Sequence, residues 1–146
     1  MIHPAALYSD LSWRTAYKLD FARLAKEAKS PGVTRVYNDN FRVGVTASEF
    51  IAALESLKDR YVALDVETSH AKPIEAKLFM IGIAWSAEDA MNYFTGVDYE
   101  DDCRVYEAIS KFKGYYITAT PFDYIVLRAY GCNFDWNRCH DLTLLS

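Results

Sequence analysis

The chain has 146 residues, of which 51% are hydrophobic and 15% aromatic, so disorder is excluded for most of it and one domain with a single core is expected. Its 16 basic and 20 acidic residues leave a net charge of -4, which excludes a uniformly basic nucleic-acid binder. No run approaches the ~18 consecutive apolar residues of a membrane span, so no membrane association is expected.

The charge is uneven. Residues 1–45 sum to +3 and residues 46–146 to -7. A basic front part suits a polyanion. The acidic remainder reads either as a solvated surface or as one that includes a carboxylate cluster for a hard cation. Met1-Ile2-His3-Pro4 lacks the basic-then-apolar pattern of a secretory signal. Cys103, Cys132 and Cys139 are odd in number and irregularly spaced. Reduced thiols and a cytoplasmic location are therefore expected.

In chain order, Trp13, Tyr17, Phe21, Leu24 and Ala28 recur at helical spacing over 11–29, and Ser30-Pro31-Gly32 stops that helix. Val33–Tyr37 and Phe41–Val45 alternate around Asn38-Asp39-Asn40 and read as a hairpin. Thr46-Ala-Ser-Glu49 is a capping box ahead of Phe50, Ile51, Leu54 and Leu57, a second amphipathic helix. Tyr61–Leu64, Leu78–Trp85 and Ala90–Phe94 are apolar runs that read as strands, with a polar link at His70–Lys77. Asp98–Asp102 opens a helix that reaches about Phe112, its acids complementing the helix dipole. Tyr115–Thr118 is a fourth strand, Pro121 starts a helix that closes at Gly131, and Asp141 reads as the N-cap of a short terminal helix. Three strands joined by short links form an antiparallel meander, and a helix crosses over to a strand parallel to the first. The expected fold is an α/β sandwich with a mixed sheet.

The segment richest in chemistry is Tyr61-Val-Ala-Leu-Asp65-Val-Glu67-Thr68. Acids at i and i+2 of a strand share one face. Two such carboxylates repel each other and are costly to desolvate, and a divalent cation relieves both problems. The other reading ends the strand at Leu64 and leaves both acids solvated.

Leu64-Asp65-Val66-Glu67-Thr68, followed by Lys77-Leu-Phe-Met-Ile-Gly-Ile-Ala84, resembles the first motif of the DEDD family of 3′–5′ exonucleases. The version here is most similar to the proofreading domain of family A DNA polymerases, with RNase D-like enzymes as cousins. The helix lead-in from Val45 to Leu57 resembles the family's as well. Ala119-Thr-Pro-Phe122-Asp123-Tyr-Ile-Val-Leu127 matches the Phe-Asp-x-x-x-Leu part of the second motif, with Ala119 where the family usually has Asn. The resemblance implies an RNase H-like fold over residues 45–146, preceded by an extension of residues 1–44 with a helix and hairpin.

It also implies two Mg²⁺ or Mn²⁺ ions held by Asp65, Glu67 and Asp123, which would hydrolyse phosphodiesters at a single-stranded DNA 3′ end. Thr68, Phe122 and His70 are the candidate substrate contacts, His70 reading otherwise as an exposed loop histidine. Only 23 residues follow Asp123 and none fits the family's third motif, Tyr-x-x-x-Asp or His-x-x-Asp, which supplies the general base. A domain truncated at its C-terminus is therefore expected, slow by itself, with a second copy or a polymerase partner chain covering the exposed apolar surface. The competing reading is a non-catalytic nucleic-acid-binding or polymerase-assembly module. Cys132, Cys139 and His140 are poorly spaced for a metal and read as buried thiols with a neighbouring histidine. Tyr115, Tyr116, Tyr124 and Tyr130 read as core residues, with one or two near Asp123 able to stack on a terminal base. No P-loop, GxGxxG or GxSxG occurs.

Overall fold

The computed structural model describes residues 40–118 and 121–141, together with positions 18, 21, 22, 24, 25, 28 and 29. The chain forms two compact units, Met1–Tyr37 and Asn38–Ser146. In the first, Lys18, Phe21, Ala22, Leu24, Ala25 and Ala28 are helical, where the apolar spacing predicts a helix. The Val33–Tyr37 arm of the expected hairpin lies outside the described residues.

The second unit carries strands β1 (Asn40–Arg42), β2 (Tyr61–Thr68), β3 (Leu78–Ala84), β4 (Asp89–Phe94), β5 (Tyr115–Thr118) and β6 (Cys139–Asp141). Its helices are α1 (Ala47–Ser56), α2 (Tyr99–Lys111) and α3 (Pro121–Ala129). The strands form one sheet in the order β1-β4-β3-β2-β5-β6. β2, β3 and β4 are the antiparallel meander, and β5 returns parallel to β2 through α2.

Three readings change. The sheet has six strands rather than four, because β1 pairs in parallel with β4 and β6 in parallel with β5. The Phe41 segment thus pairs with β4, and Asn40 Nδ2 donates to Asp89 Oδ1 at 3.0 Å to fix that edge. Asp141, expected as an N-cap, is the last residue of β6 and lies beside Thr118, while residues 142–146 lie outside the described residues. β2 does not end at Leu64 but runs on to Thr68.

Helix starts follow local chemistry. Thr46 Oγ1 accepts from Glu49 N–H, and Glu49 Oε2 accepts from Thr46 N–H at 2.9 Å, the reciprocal capping box read from the sequence. Donation from Thr46 N–H, and from Thr46 Oγ1 at 2.8 Å, holds the Glu49 carboxyl below its usual range. Asp98 caps α2 by accepting from the N–H groups of Glu100 and Asp101. Gly131 closes α3 with φ +90°, a left-handed conformation that favours glycine. At Gly114 the turn into β5 runs so close to the Arg60 carbonyl that any Cβ would collide with it.

The core lies on one face of the sheet. Val62, Leu64 and Val66 of β2, Ile81 and Ile83 of β3, Met91 and Tyr93 of β4 and Tyr116 of β5 are buried in one cluster with Phe50 and Leu54 of α1, Val105 and Ile109 of α2, and Val126 and Leu127 of α3. Tyr116 has its hydroxyl satisfied, donating to the Ile109 carbonyl at 3.0 Å. Asp102, a buried acid, accepts from Tyr93 Oη and Gly96 N–H, each at 2.8 Å. These two bonds tie α2 to the end of β4.

Candidate active site

Alternation along β2 sets the site. Val62, Leu64 and Val66 point into the core, and Tyr61, Ala63, Asp65 and Glu67 are exposed on the opposite face. The two acids therefore share a face, as their spacing requires. Among the described residues neither carboxylate is engaged in a hydrogen bond or an ion pair. Asp65 stands opposite Gly82 of β3, and Glu67 opposite Met80. Opposed residues on one face are near neighbours, so the missing side chain at Gly82 leaves Asp65 open on that flank.

A register shift between Glu67 and Thr68 ends the regular pairing there. Bulges of this kind re-aim the following side chain. Thr68 Oγ1 donates to the His70 carbonyl at 2.9 Å, and Ser69 Oγ lies 2.7 Å from His70 Nδ1. Lys77 N–H donates to Ser69 Oγ at 2.9 Å, which ties this turn to the approach to β3. The His70 side chain is exposed, three residues after Glu67 in the chain.

Asp123 is in the first turn of α3, which packs against β2 and β5. It is buried, at 3% exposure, with Thr118 likewise buried at the end of β5. Phe122 is half-buried and packs against the core. The structure thus places Asp65 and Glu67 side by side and Asp123 on the helix that leans on their strand. Among the described residues, no three His, Cys, Asp or Glu side chains gather as a ready metal cluster.

The donor set still suits a hard cation. Mg²⁺ is commonly held by one or two carboxylates while it keeps several waters. Asp65 and Glu67, without protein partners and facing solvent, fit that description by chemistry, and Asp123 does not complete a closed cage with them.

The cysteines are free: Cys132 buried, Cys139 half-buried and Cys103 exposed. Burial pushes the Cys132 thiol up to about 12, which makes it inert as a ligand or nucleophile. Tyr116 is fully buried, and Tyr130 Oη accepts from Leu78 N–H at 2.9 Å. Tyr115, expected in the core with its neighbours, is exposed on the Asp65 face at 39%. It stacks there on Tyr61, ring centroids 5.0 Å apart, with His140 of β6 tilted against both. This trio was missed. Alternation gives Tyr61 the parity of Asp65, but the register that sets Tyr115 opposite Tyr61 is a tertiary contact.

No family model matches the chain, and no curated protein does. Solved structures do. The EXO domain of Nibbler from Aedes aegypti aligns with a TM-score of 0.51 at 13% identity, covering 78% of this chain and 56% of that one. A nuclease in its apo form aligns with a TM-score of 0.47 at 16% identity, covering 63% of this chain and 43% of that one. The chain thus spans about half the length of these solved chains. The likeness to the EXO domain shows the fold: a mixed six-stranded sheet flanked by three helices, the RNase H-like arrangement of exonuclease domains. Among the described residues no helix is long and apolar enough to cross a membrane.

Proposed function

We propose that this chain is a metal-dependent nuclease domain that hydrolyses phosphodiester bonds at single-stranded DNA 3′ ends, in the manner of a polymerase proofreading exonuclease. The observation that carries the reading is the Asp65–Glu67 pair, exposed on one face of the central strand with no protein partner. Like charges at successive same-face positions repel each other, and a cation held between them relieves that repulsion. The exonuclease fold of the chain supports the same reading.

In this proposal Asp65 and Glu67 hold Mg²⁺ or Mn²⁺, and Asp123 adds a carboxylate from the start of α3. A bound divalent ion supplies Lewis-acid polarisation of the phosphate and a more acidic water. The carboxylates of Asp65 and Glu67 offset the ion's charge and fix where it sits on the sheet. The open flank at Gly82 leaves room beside Asp65 for a phosphate. Thr68 and His70 border the pair at the turn after β2, and Phe122 lies next to Asp123 in the chain. A partner chain, either a second copy or a polymerase subunit, belongs to the same proposal, and light scattering that returns a clean monomer would count against it.

The test is Mn²⁺-dependent release of mononucleotides from 5′-labelled single-stranded DNA, which displays polarity as a ladder. The wild type should shorten the strand from its 3′ end, and Asp65→Ala should fall to the level of buffer alone. Equal background in both would sink the proposal. Calorimetric titration with Mn²⁺ adds a readout apart from activity, with binding heat expected for the wild type and lost in Asp65→Ala. The fact that Asp123 does not close a cage with the pair favours one alternative, a nucleic-acid-binding module without catalysis. Metal binding without nucleotide release would select it.

A further inference from the structure

The acidic pair occupies only one end of the open face. At the other end of β2 the same face carries Tyr61, 56% exposed, stacked with Tyr115 at an interplanar angle of 21°. His140 closes the group from β6, its ring centroid 5.7 Å from Tyr61 and 5.6 Å from Tyr115. Neither phenol hydroxyl is bonded to a described residue. Large aromatic rings in solvent on a sheet need a reason, since Tyr116, the next residue, is fully buried with its hydroxyl satisfied.

Three cations border this aromatic end. Arg60 immediately precedes β2, Lys113 lies just before β5, and Arg138 just before β6. Two hydrogen bonds place them at this edge: Tyr115 N–H donates to the Arg60 carbonyl at 2.9 Å, and the Arg138 guanidinium donates from Nη1 to the Lys113 carbonyl. Among the described residues none of the three is in an ion pair. The nearby Asp135 carboxylate is taken up by Asn137, which donates from both N–H and Nδ2. From Tyr61 to Asp65 is four residues of one strand, or about 13 Å.

We propose that Tyr61 and Tyr115 form a stacking platform for an unpaired nucleic-acid strand, with Arg60, Lys113 and Arg138 facing its phosphates. The proposal rests on the nuclease reading of Asp65 and Glu67, toward which the platform leads the strand. The chemistry is that of single-strand binders: aromatic faces take bases without regard to sequence, and a cationic border tracks the backbone. Aromatic side chains on an open sheet also stack bases in the four-stranded RNA-recognition fold. A duplex offers no free base faces here, so the occupant is single-stranded.

The test is fluorescence anisotropy in EDTA, so that binding is read without hydrolysis, with fluorescein-labelled 12-nucleotide oligo(dT), oligo(U) and a mixed-sequence duplex. The full chain should bind at least one single strand more tightly than the duplex, and the two single-strand arms report whether DNA or RNA is the better fit. Tyr61→Ala and Tyr115→Ala should each weaken that binding about 5- to 100-fold, and Tyr61→Phe should restore it. Arg60→Ala and Lys113→Ala, both exposed side chains, should each lower the slope of log affinity against log salt by about 0.7. This arm stays informative if an alanine at Tyr61 or Tyr115 unfolds the chain.

No binding by the wild type, equal binding of duplex, or alanine variants with unchanged affinity and salt slope would each overturn the platform. Asp65→Ala separates the two proposals. Tyrosine-dependent binding with no Mn²⁺-dependent release in any variant means that the nuclease reading fails and the platform stands. Asp65-dependent release with tyrosine variants that bind normally means the reverse.

Discussion

The two faces of the sheet do opposite work with the same strands. On β2, Val62, Leu64 and Val66 are sealed into the core with the helices, while Tyr61, Asp65 and Glu67 on alternate positions stand in solvent. One face gains its free energy from buried apolar area. The other retains charged and aromatic groups whose burial would cost energy or whose exposure yields nothing to the fold. The difference implies a division of labour: substitutions on the helix face should act on stability, and substitutions on the open face on binding and chemistry.

The largest break in that contrast is a cavity on the covered face. Phe50→Ala, at a fully buried ring packed 6.1 Å from Tyr93, should cost about 3–5 kcal/mol in urea denaturation. Next, Asp102→Ala would leave the buried Tyr93 Oη without its acceptor and remove the part-buried bond from Gly96 N–H, at a cost of about 1–3 kcal/mol.

The covered face should also show itself at alkaline pH. Burial raises the Cys132 thiol from an ordinary 9.0 to about 12. Between those values the unfolded chain releases a proton that the folded chain keeps. Stability should therefore be intact below about pH 9 and decline towards pH 12, by roughly 1 kcal/mol per pH unit for this one thiol. Cys132→Ala should flatten the decline, and an unchanged slope would place the effect elsewhere.

A smaller effect is expected at a helix start. Thr46→Ala removes the reciprocal cap of α1 and should cost about 1 kcal/mol. The smallest belongs to the open face, where Tyr61→Phe should shift thermal unfolding by less than about 0.5 kcal/mol. A large loss there would mean that the face is structural and would weaken the contrast.

Much of this was legible in advance. The capping box at Thr46 and Glu49, the meander of β2 to β4, the crossover to β5 at Tyr115–Thr118 and the helix opening at Pro121 all follow from short-range spacing and cap chemistry. The shared face of Asp65 and Glu67 followed from strand periodicity as soon as β2 was long enough to contain them. The edge strands were not legible. Asn40–Arg42 and Cys139–Asp141 are three residues each, too short for an alternating pattern, and exist as strands because β4 and β5 offer free backbone groups to pair with. Tyr115 and Tyr116 are identical residues side by side, and composition alone gave no basis to assign one to solvent and the other to the core.

By itself, then, the sequence determined the local elements, the parity of each strand and the pairing of two acids on one face, because these depend on backbone geometry over a few residues. Tertiary structure alone decided that α1, α2 and α3 share one core on the Val62 face, that β1 and β6 extend the sheet to six strands, that Asp123 is buried on a helix against β2 and β5, and that Tyr61, Tyr115 and His140 meet. Those outcomes depend on contacts between residues far apart in the chain, whose energies arise only when the strands are laid side by side.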